Sequence, residues 1–244
     1  MKVGTDRLSK SRRVTLAAVF SAIYLILRIV PTFSMIGVSA QFTAGDFILT
    51  SMAALAGLWS GTVAVLVGTV IGYAVRPPVF FGLDFLPGLV NLWIAGLVLS
   101  GRRKLALAIY LIILVLFLVS PYSLFYGYDH IPYVWLHVVA FLILLSPAAR
   151  EIPSWIKRGG YWSGAGFALL AFVGTMAQHL TGGLLFELSL GVVGGMSPMA
   201  FAAIWRIIFF VYPIERLVIV TISTILAVAI FRSYQKWAPP SWRA

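Results

Sequence analysis

Two opposite charges interrupt a long apolar run near the end of the chain. Glu215 and Arg216 are adjacent in "FFVYPIERLVIVTISTILAVAIF", which is otherwise apolar enough to cross a bilayer. Neighbours in a helix point about 100° apart, so each charge is predicted to need its own partner on a different face. Ionisable groups at membrane depth usually line a cavity or a protein interior. Both residues are therefore candidates for binding a polar solute, or for interhelical ion pairs that fix packing.

A second group of polar residues lies in "TMAQHLTGGLLFE", which ends at Glu187. Gln178 and Thr181 are three residues apart and share a helix face, with His179 to one side. This spacing predicts a polar wall rather than a single ligand. The alternative for His179 is a hydrogen-bonded core residue. The Gly-rich "LGVVGGMSP" that follows is predicted to be a mobile outer loop or a re-entrant turn.

A third group precedes and opens the fourth apolar segment, in "RPPVFFGLDFLPGLVNLW". Arg76 and Asp84 bracket a proline-stiffened loop, and Asn91 and Trp93 follow deeper in the segment. An indole below a carboxylate offers a stacking floor for a flat ligand, although Trp93 could equally face lipid. Asp46 lies near the outer end of the second segment. The ten residues predicted to bind the substrate are Asp46, Arg76, Asp84, Asn91, Trp93, Gln178, His179, Glu187, Glu215 and Arg216.

Several kinds of chemistry have no support in the sequence. Cys is absent and only three His occur, so Cys-bearing metal sites and disulfides are excluded. The chain has no nucleotide-binding glycine loop, no H-E-x-x-H zinc pair and no G-x-S-x-G nucleophile elbow. We therefore predict no catalytic residue, metal or cofactor, and any energy from ATP must come from a partner.

The elements that carry these residues are predicted to be membrane helices. Hydrophobic residues make up 61% of the chain and charged residues 10%, and the mean hydropathy is +1.00, far outside the range of soluble domains. The fold class predicted is all-α, one polytopic membrane domain over 1–244 with about eight, or six to eight, spanning helices. The predicted spans are 13–31, 42–59, 61–75, 84–100, 105–121, 133–148, 163–184 and 207–231.

Basic residues orient these segments. If the N-terminus is cytoplasmic, 14 of the 18 Lys and Arg residues fall in inner segments, including the predicted cytoplasmic tails 1–12 and 232–244. The formal charge of +11 then indicates which ends of the helices face the cytoplasm, and we predict no nucleic-acid partner. The outer side keeps four basic residues, five of the seven acids and all three His. These residues are Arg28, Arg76, Arg206, Arg216, Asp46, Asp84, Asp129, Glu187, Glu215, His130, His137 and His179.

Small residues near the start of the first segment predict a close helix contact. In "RRVTLAAVFSAIY", Ala17 is four residues before Ser21, and Ala18 is four residues before Ala22. Small side chains let another helix approach closely, because packing rather than hydrophobic burial drives helix association in lipid. The contact could be internal or with a partner protein.

These patterns resemble the substrate-binding (S) components of energy-coupling factor (ECF) transporters. The resemblance is carried by "LAAVFSAIY", "ALAGLWSGTVAVLVGTVIGY", "GLDFLPGLVNLWIAGLVLSGRR" and the final "YPIERLVIVTISTILAVAIF". It implies that Ala18 and Ala22 dock on a transmembrane coupling subunit that carries two ATPase subunits, and that a micronutrient such as a vitamin binds near the outer surface. The family usually has six spans, so the segment 105–148 looks like an inserted hairpin.

The expected function is capture of a small polar solute at the plasma membrane of a prokaryote, for an ATP-driven importer. Two alternatives remain open. The chain could be a self-sufficient secondary transporter in which Glu215 or Asp84 carries a proton or an ion. It could also be an intramembrane enzyme that acts on lipids, with His179 and Glu187 or Glu215 as acid and base.

Overall fold

The computed structural model describes residues 9–237, and this part of the chain is mostly helical. The ends of the two predicted cytoplasmic tails, 1–8 with Lys2 and Arg7 and 238–244 with Arg243, lie outside the described residues. The nine α-helices of the described range are α1 (Lys10–Ile29), α2 (Leu49–Leu55), α3 (Gly57–Gly72), α4 (Leu86–Leu99), α5 (Arg103–Val119), α6 (Trp135–Leu145), α7 (Ala148–Arg158), α8 (Gly160–Phe186) and α9 (Pro198–Trp237).

Shorter elements join these helices. The antiparallel strands β1 (Pro31–Ser34) and β2 (Gln41–Thr43) form a hairpin after α1, and β3 (Tyr126–Tyr128) and β4 (Ile131–Pro132) form another after α5. A 3-10 turn (Ala44–Ile48) leads into α2. A π-helical turn (Glu187–Val193) extends α8 into the first four residues of the segment predicted as a mobile outer loop or a re-entrant turn.

The number of helices that meet the length of a membrane span is smaller than the eight predicted. By length and composition two helical stretches within residues 9–237 are long and apolar enough to cross a membrane, Gly160–Val193 and Pro198–Lys236. A third would be α6 with α7, which are bent by 76° at their junction, if the pair forms one span. The helical content predicted from the sequence is confirmed, whereas the structure supports two or three spans by this measure.

Local chain breaks account for much of the difference. The predicted span 42–59 is divided, because Gly57 at φ +72° ends α2 early and starts α3. The helices α3 and α4 have 16 and 14 residues, about 24 and 21 Å at a rise of ~1.5 Å per residue. Both are shorter than the ~30 Å hydrocarbon core. The region between the sixth and seventh predicted spans, expected to be a turn, contains α7.

Contacts place the basic ends of several helices together. The Arg12 guanidinium donates to the Tyr234 hydroxyl, joining the start of α1 to the end of α9. The Ser60 hydroxyl donates to the Arg13 carbonyl at 3.0 Å, so α3 starts at the same end. Arg232 donates to the Gly160 carbonyl at 3.4 Å, which adds the start of α8. Helices consequently alternate in direction, and the residues before α2, α4 and α9 lie at the opposite end.

Packing of α1 on α3 separates the two small-residue pairs of α1. Ala17 and Ser21 are buried, and an ideal Cβ at Gly68 of α3 would lie 3.1 Å from the Ser21 carbonyl oxygen. A side chain at position 68 would therefore push the two backbones apart. Ala18 and Ala22 lie on the exposed side of α1. The first pair is thus used within this chain, and the second is not covered by it.

The segment 105–148 packs onto the same core as the rest of the described chain. One continuous cluster of buried apolar residues takes members from all nine helices. Tyr110 of α5 donates to the His137 carbonyl at 3.0 Å, and Tyr212 of α9 donates to the Tyr133 carbonyl at 2.9 Å. The first bond joins α5 to α6, and the second joins α9 to the residues just before α6, so the hairpin is held to α9 by a hydrogen bond as well as by apolar contact.

Candidate functional site

A cavity of about 410 Å³ opens at the end of the molecule opposite the basic helix ends. Its walls come from α1, the β1–β2 hairpin, the 3-10 turn, the loop after α3, α8 and α9. Seven of the ten binding residues predicted from the sequence line it: Asp46, Arg76, Asp84, Gln178, His179, Glu215 and Arg216. The fold thus gathers residues that are far apart in the chain around one space.

A hydrogen-bonded chain of three buried side chains crosses the floor of the cavity. The Asn91 amide nitrogen donates to Gln178 Oε1 at 2.6 Å, and Gln178 Nε2 donates to Asp46 Oδ1 at 2.7 Å. Gln178 and Asp46 line the cavity, while Asn91 lies behind them and does not. Asn91 therefore supports the cavity wall from α4 without lining the cavity itself.

Gly174 of α8 leaves space for the Asn91 side chain. Asn91 packs directly against Gly174 of α8, where a methyl group would collide with Asn91 Oδ1. The close approach of α4 to α8 at this level therefore depends on the absence of a side chain at Gly174. The sequence alone gave no indication of this contact, because the two residues are 83 positions apart.

The charged pair that interrupts the last apolar run partners itself, contrary to the prediction. Arg216 Nη2 lies 3.6 Å from Glu215 Oε2, which is an ion pair but is longer than a hydrogen bond. The 100° separation describes the directions in which the two side chains leave the helix. A long arginine side chain is flexible enough to bend back toward its neighbour. Arg216 also interacts electrostatically with Asp46, which is its second acidic neighbour.

The Arg216 guanidinium is buried but incompletely hydrogen-bonded. Its side chain is 1% exposed, and Nε and Nη2 have no hydrogen-bond partner. The Phe42 ring of β2 covers one face of the guanidinium, with its centroid 4.8 Å from Cζ, a geometry suited to a cation–π interaction. Burying a cation whose N–H groups lack hydrogen bonds costs free energy, and such groups are common in binding sites.

Asp84 organises the rim rather than presenting a free carboxylate. Its two carboxylate oxygens accept hydrogen bonds from the backbone N–H groups of Val79 and Phe80, at 2.8 and 3.1 Å. Arg76 crosses the rim in the other direction and donates to the Arg28 carbonyl and to Gln41 Oε1, both at 3.4 Å. Together they tie the loop after α3 to α1 and to the β1–β2 hairpin.

His179 belongs to an aromatic stack that extends away from the cavity. His179 Nδ1 lies 2.9 Å from His137 Nε2, and the two rings are stacked with centroids 5.1 Å apart. Tyr212 stacks on both imidazoles. His179 therefore has one ring nitrogen engaged by protein and is held rigidly by α6 and α9.

Trp93 and Glu187 do not line the cavity. The Trp93 indole donates to the Thr62 hydroxyl at 2.9 Å and is 37% exposed on the outer surface of the helices, so it forms no floor beneath a carboxylate. Glu187 is buried and accepts hydrogen bonds from Ser120 at 2.5 Å and Ser123 at 2.9 Å. Its carboxylate fastens the turn after α5 to the end of α8.

Among the lining residues that were not assigned to the site from the sequence are Tyr24, Arg28, Phe42 and Trp205. The outer position of Arg28 had been noted, and its placement among apolar residues was a usable signal. Tyr24, Phe42 and Trp205 look like ordinary membrane aromatics in the sequence, because only packing distinguishes a cavity wall from a lipid-facing position.

Metal binding has no geometric support among residues 9–237, where no group of three or more His, Asp or Glu side chains converges. The charged side chains that line the cavity are three arginines and three acids, so the lining is formally neutral.

No protein-family model, curated protein or solved structure matches the chain.

Proposed function

We propose that this protein captures a small polar solute for an ATP-driven importer of the ECF type, as its S component. The observation that carries the proposal is the cavity, which surrounds buried charged groups with apolar walls inside a helical body of high hydropathy. Its volume of about 410 Å³ falls in the range of ~300–1,000 Å³ usual for small-molecule sites. A solute of vitamin or precursor size fits such a space.

The cavity and the basic helix ends lie at opposite ends of the described structure. In the proposed orientation the basic ends face the cytoplasm of a prokaryote, as the positive-inside rule requires, and the cavity faces outward. Short helices such as α3 and α4 then count as spans within the bundle, with the β1–β2 hairpin and the loop after α3 filling the remaining depth. Irregular backbone is tolerated at membrane depth where it lines a cavity.

The exposed face of α1 supplies the proposed docking surface. Ala18 and Ala22 are exposed there, and Val14, Val19 and Ile26 next to them are also exposed. Because Ala17 and Ser21 on the other side of α1 already pack against α3, the exposed pair is available to a helix of the coupling subunit. Docking of this kind leaves ATP hydrolysis to the two ATPase subunits, and no chemistry is required of this chain.

Reconstitution tests the proposal directly. The chain is produced in a host that lacks its own vitamin uptake, with and without an ECF coupling subunit and its two ATPases. The proposal predicts a stable complex and uptake of a labelled micronutrient that stops when the ATPase is inactivated. Uptake into liposomes by the isolated chain, driven by an ion gradient, would instead establish a secondary transporter and overturn the proposal.

A further inference from the structure

Several polar groups around the cavity are already engaged by protein. Both ends of the Gln178 amide are hydrogen-bonded, Asp46 accepts from Gln178, and Asp84 accepts from two backbone N–H groups. His179 Nδ1 contacts His137. The buried groups that are left without a protein partner therefore restrict the chemistry of a ligand.

Among the described residues that line the cavity, the buried donors without a hydrogen-bond partner are on Arg216. Its Nε and Nη2 atoms lack hydrogen-bond partners although the side chain is 1% exposed and lines the cavity. In a guanidinium the Nε–H and one Nη2–H project in parallel from the same edge. This edge matches the two oxygens of a carboxylate or phosphate and forms a bidentate, charge-assisted pair with either.

The surrounding charge favours a carboxylate over a phosphate. Asp46 and Glu215 both interact electrostatically with Arg216, so a second negative charge on the ligand would face two acids across a medium of low dielectric constant. Arg28 and Arg76 balance those acids, which leaves the lining formally neutral. A ligand with a single negative charge fits this balance better than a phosphate, which carries about −1.5 to −2 at neutral pH.

The remaining lining is largely aromatic and apolar. Phe42, Phe80, Phe186 and Trp205 form wall positions together with aliphatic residues of the β1–β2 hairpin and α9. Aromatic walls gain most from an apolar or ring-shaped ligand, through area burial and edge or stacking contacts.

We propose that the captured solute is a monocarboxylic acid with an aromatic or other apolar body, and that its carboxylate binds the Arg216 guanidinium. The inference rests on the proposed function only in taking the cavity as the capture site. It assigns Glu215 a positioning role, because its ion pair with Nη2 at 3.6 Å holds the guanidinium without forming a hydrogen bond to it.

Matched ligand pairs test this inference on the purified full-length protein in nanodiscs. Benzoate and 3-phenylpropionate are titrated against benzamide and 3-phenylpropionamide by ligand-observed NMR, with phenyl phosphate as a third class. We expect each carboxylate to bind at least about tenfold more tightly than its amide, the ratio that corresponds to ~1.4 kcal/mol. Equal binding of the pairs, absence of saturable carboxylate binding, or tighter binding of phenyl phosphate would each overturn the inference.

Three variants test whether the preference for a carboxylate over an amide depends on the Arg216 guanidinium. Arg216→Gln should abolish the difference between carboxylate and amide, and Arg216→Lys should reduce it, because an ammonium keeps the charge without the paired donors. Arg206→Gln, an exposed position on the same helix, should keep the wild-type preference. If Arg216→Gln does not fold, the Lys variant decides, and an undiminished preference in that variant contradicts the proposal.

Failure of this inference is distinguishable from failure of the proposed function. A protein that prefers carboxylates but forms no complex with the coupling subunit keeps the anion site and loses its role as an S component. A protein that assembles and supports ATP-dependent uptake of an uncharged solute keeps that role and loses the carboxylate site.

Discussion

Asn91 and Asp46 are linked through one side chain, because the Gln178 amide accepts from the former at 2.6 Å and donates to the latter at 2.7 Å. The link joins α4, α8 and the 3-10 turn at the floor of the cavity. Replacing Gln178 by Leu would leave a buried carboxylate and a buried amide without their partner. We expect a loss of about 3 kcal/mol in the free energy of unfolding, since unsatisfied buried polar groups cost ~1–3 kcal/mol each.

Chemical unfolding in detergent micelles measures that loss, and Thr181→Val is the matched control. Thr181 lies one turn further along α8 and is also buried, but its hydroxyl bonds only the Ala177 carbonyl of its own helix, at 2.9 Å. We expect the control to cost less than ~1 kcal/mol. Equal losses in the two variants would show that the bridge contributes nothing beyond general packing.

Two glycines of α8 should respond oppositely to alanine. Gly174→Ala places a methyl group against the Asn91 amide, and we expect it to cost about 1–3 kcal/mol, as overpacking does in other cores. An ideal Cβ at Gly164 meets no atom within 4 Å, so Gly164→Ala should be neutral or stabilising by up to ~1 kcal/mol through helix propensity. Melting temperatures of the two variants provide the comparison, and a lower value for Gly164→Ala would contradict it.

Removing the charge of Glu215 should destabilise the protein. The Glu215→Gln substitution keeps the shape of the side chain but leaves the buried Arg216 without its nearest acid, which costs about 3–5 kcal/mol when a buried pair is broken. Glu151→Gln is the control, because Glu151 is exposed on α7 and contacts Ser154 at 3.0 Å. A fall in melting temperature for Glu215→Gln alone is the expected result, whereas similar values would mean that Asp46 suffices as counter-charge.

The two faces of α1 should differ in their response to a large side chain. Ala18→Trp and Ala22→Trp lie on the exposed face, so we expect both variants to fold and to bind ligand. The proposed docking on α1 predicts that neither variant copurifies with a coupling subunit. Ala17→Trp points into the contact with α3, where Ala17 is 4% exposed, and should prevent folding. Normal copurification of both exposed-face variants would remove this face from the docking surface, and loss of ligand binding in them would point to a role within the fold.

The sequence predicted which polar residues belong together better than it predicted the helices that carry them. Seven of ten predicted binding residues line the cavity, because an ionisable or amide side chain in an apolar segment has few stable places to go. Segment lengths were less informative. Hydropathy does not distinguish a 3-10 turn or a glycine at positive φ from a regular helix. The predicted span 42–59 therefore included the turn Ala44–Ile48 and the break at Gly57.

Trp93 and Glu187 lie outside the cavity and Trp205 lines it, because contacts between distant parts of the chain decide these positions. Trp93 and Trp205 are both indoles in apolar surroundings, and only the packing of neighbouring helices puts Trp205 at the cavity and Trp93 on the outer surface. Glu187 was expected to bind a ligand, yet two serine hydroxyls from the turn after α5 occupy its carboxylate. Those serines are more than 60 positions away, a distance at which a single sequence carries no pairing information.

The amino-acid sequence by itself determined an apolar, helical chain whose acids and imidazoles are segregated from most of its cations, since composition and periodicity are local properties. Only the tertiary structure decided which charges meet, because contact depends on how helices pack and how long side chains bend. It brought Glu215 back onto Arg216, placed Gln178 between Asn91 and Asp46, and left two nitrogen atoms of a buried guanidinium without a hydrogen-bond partner.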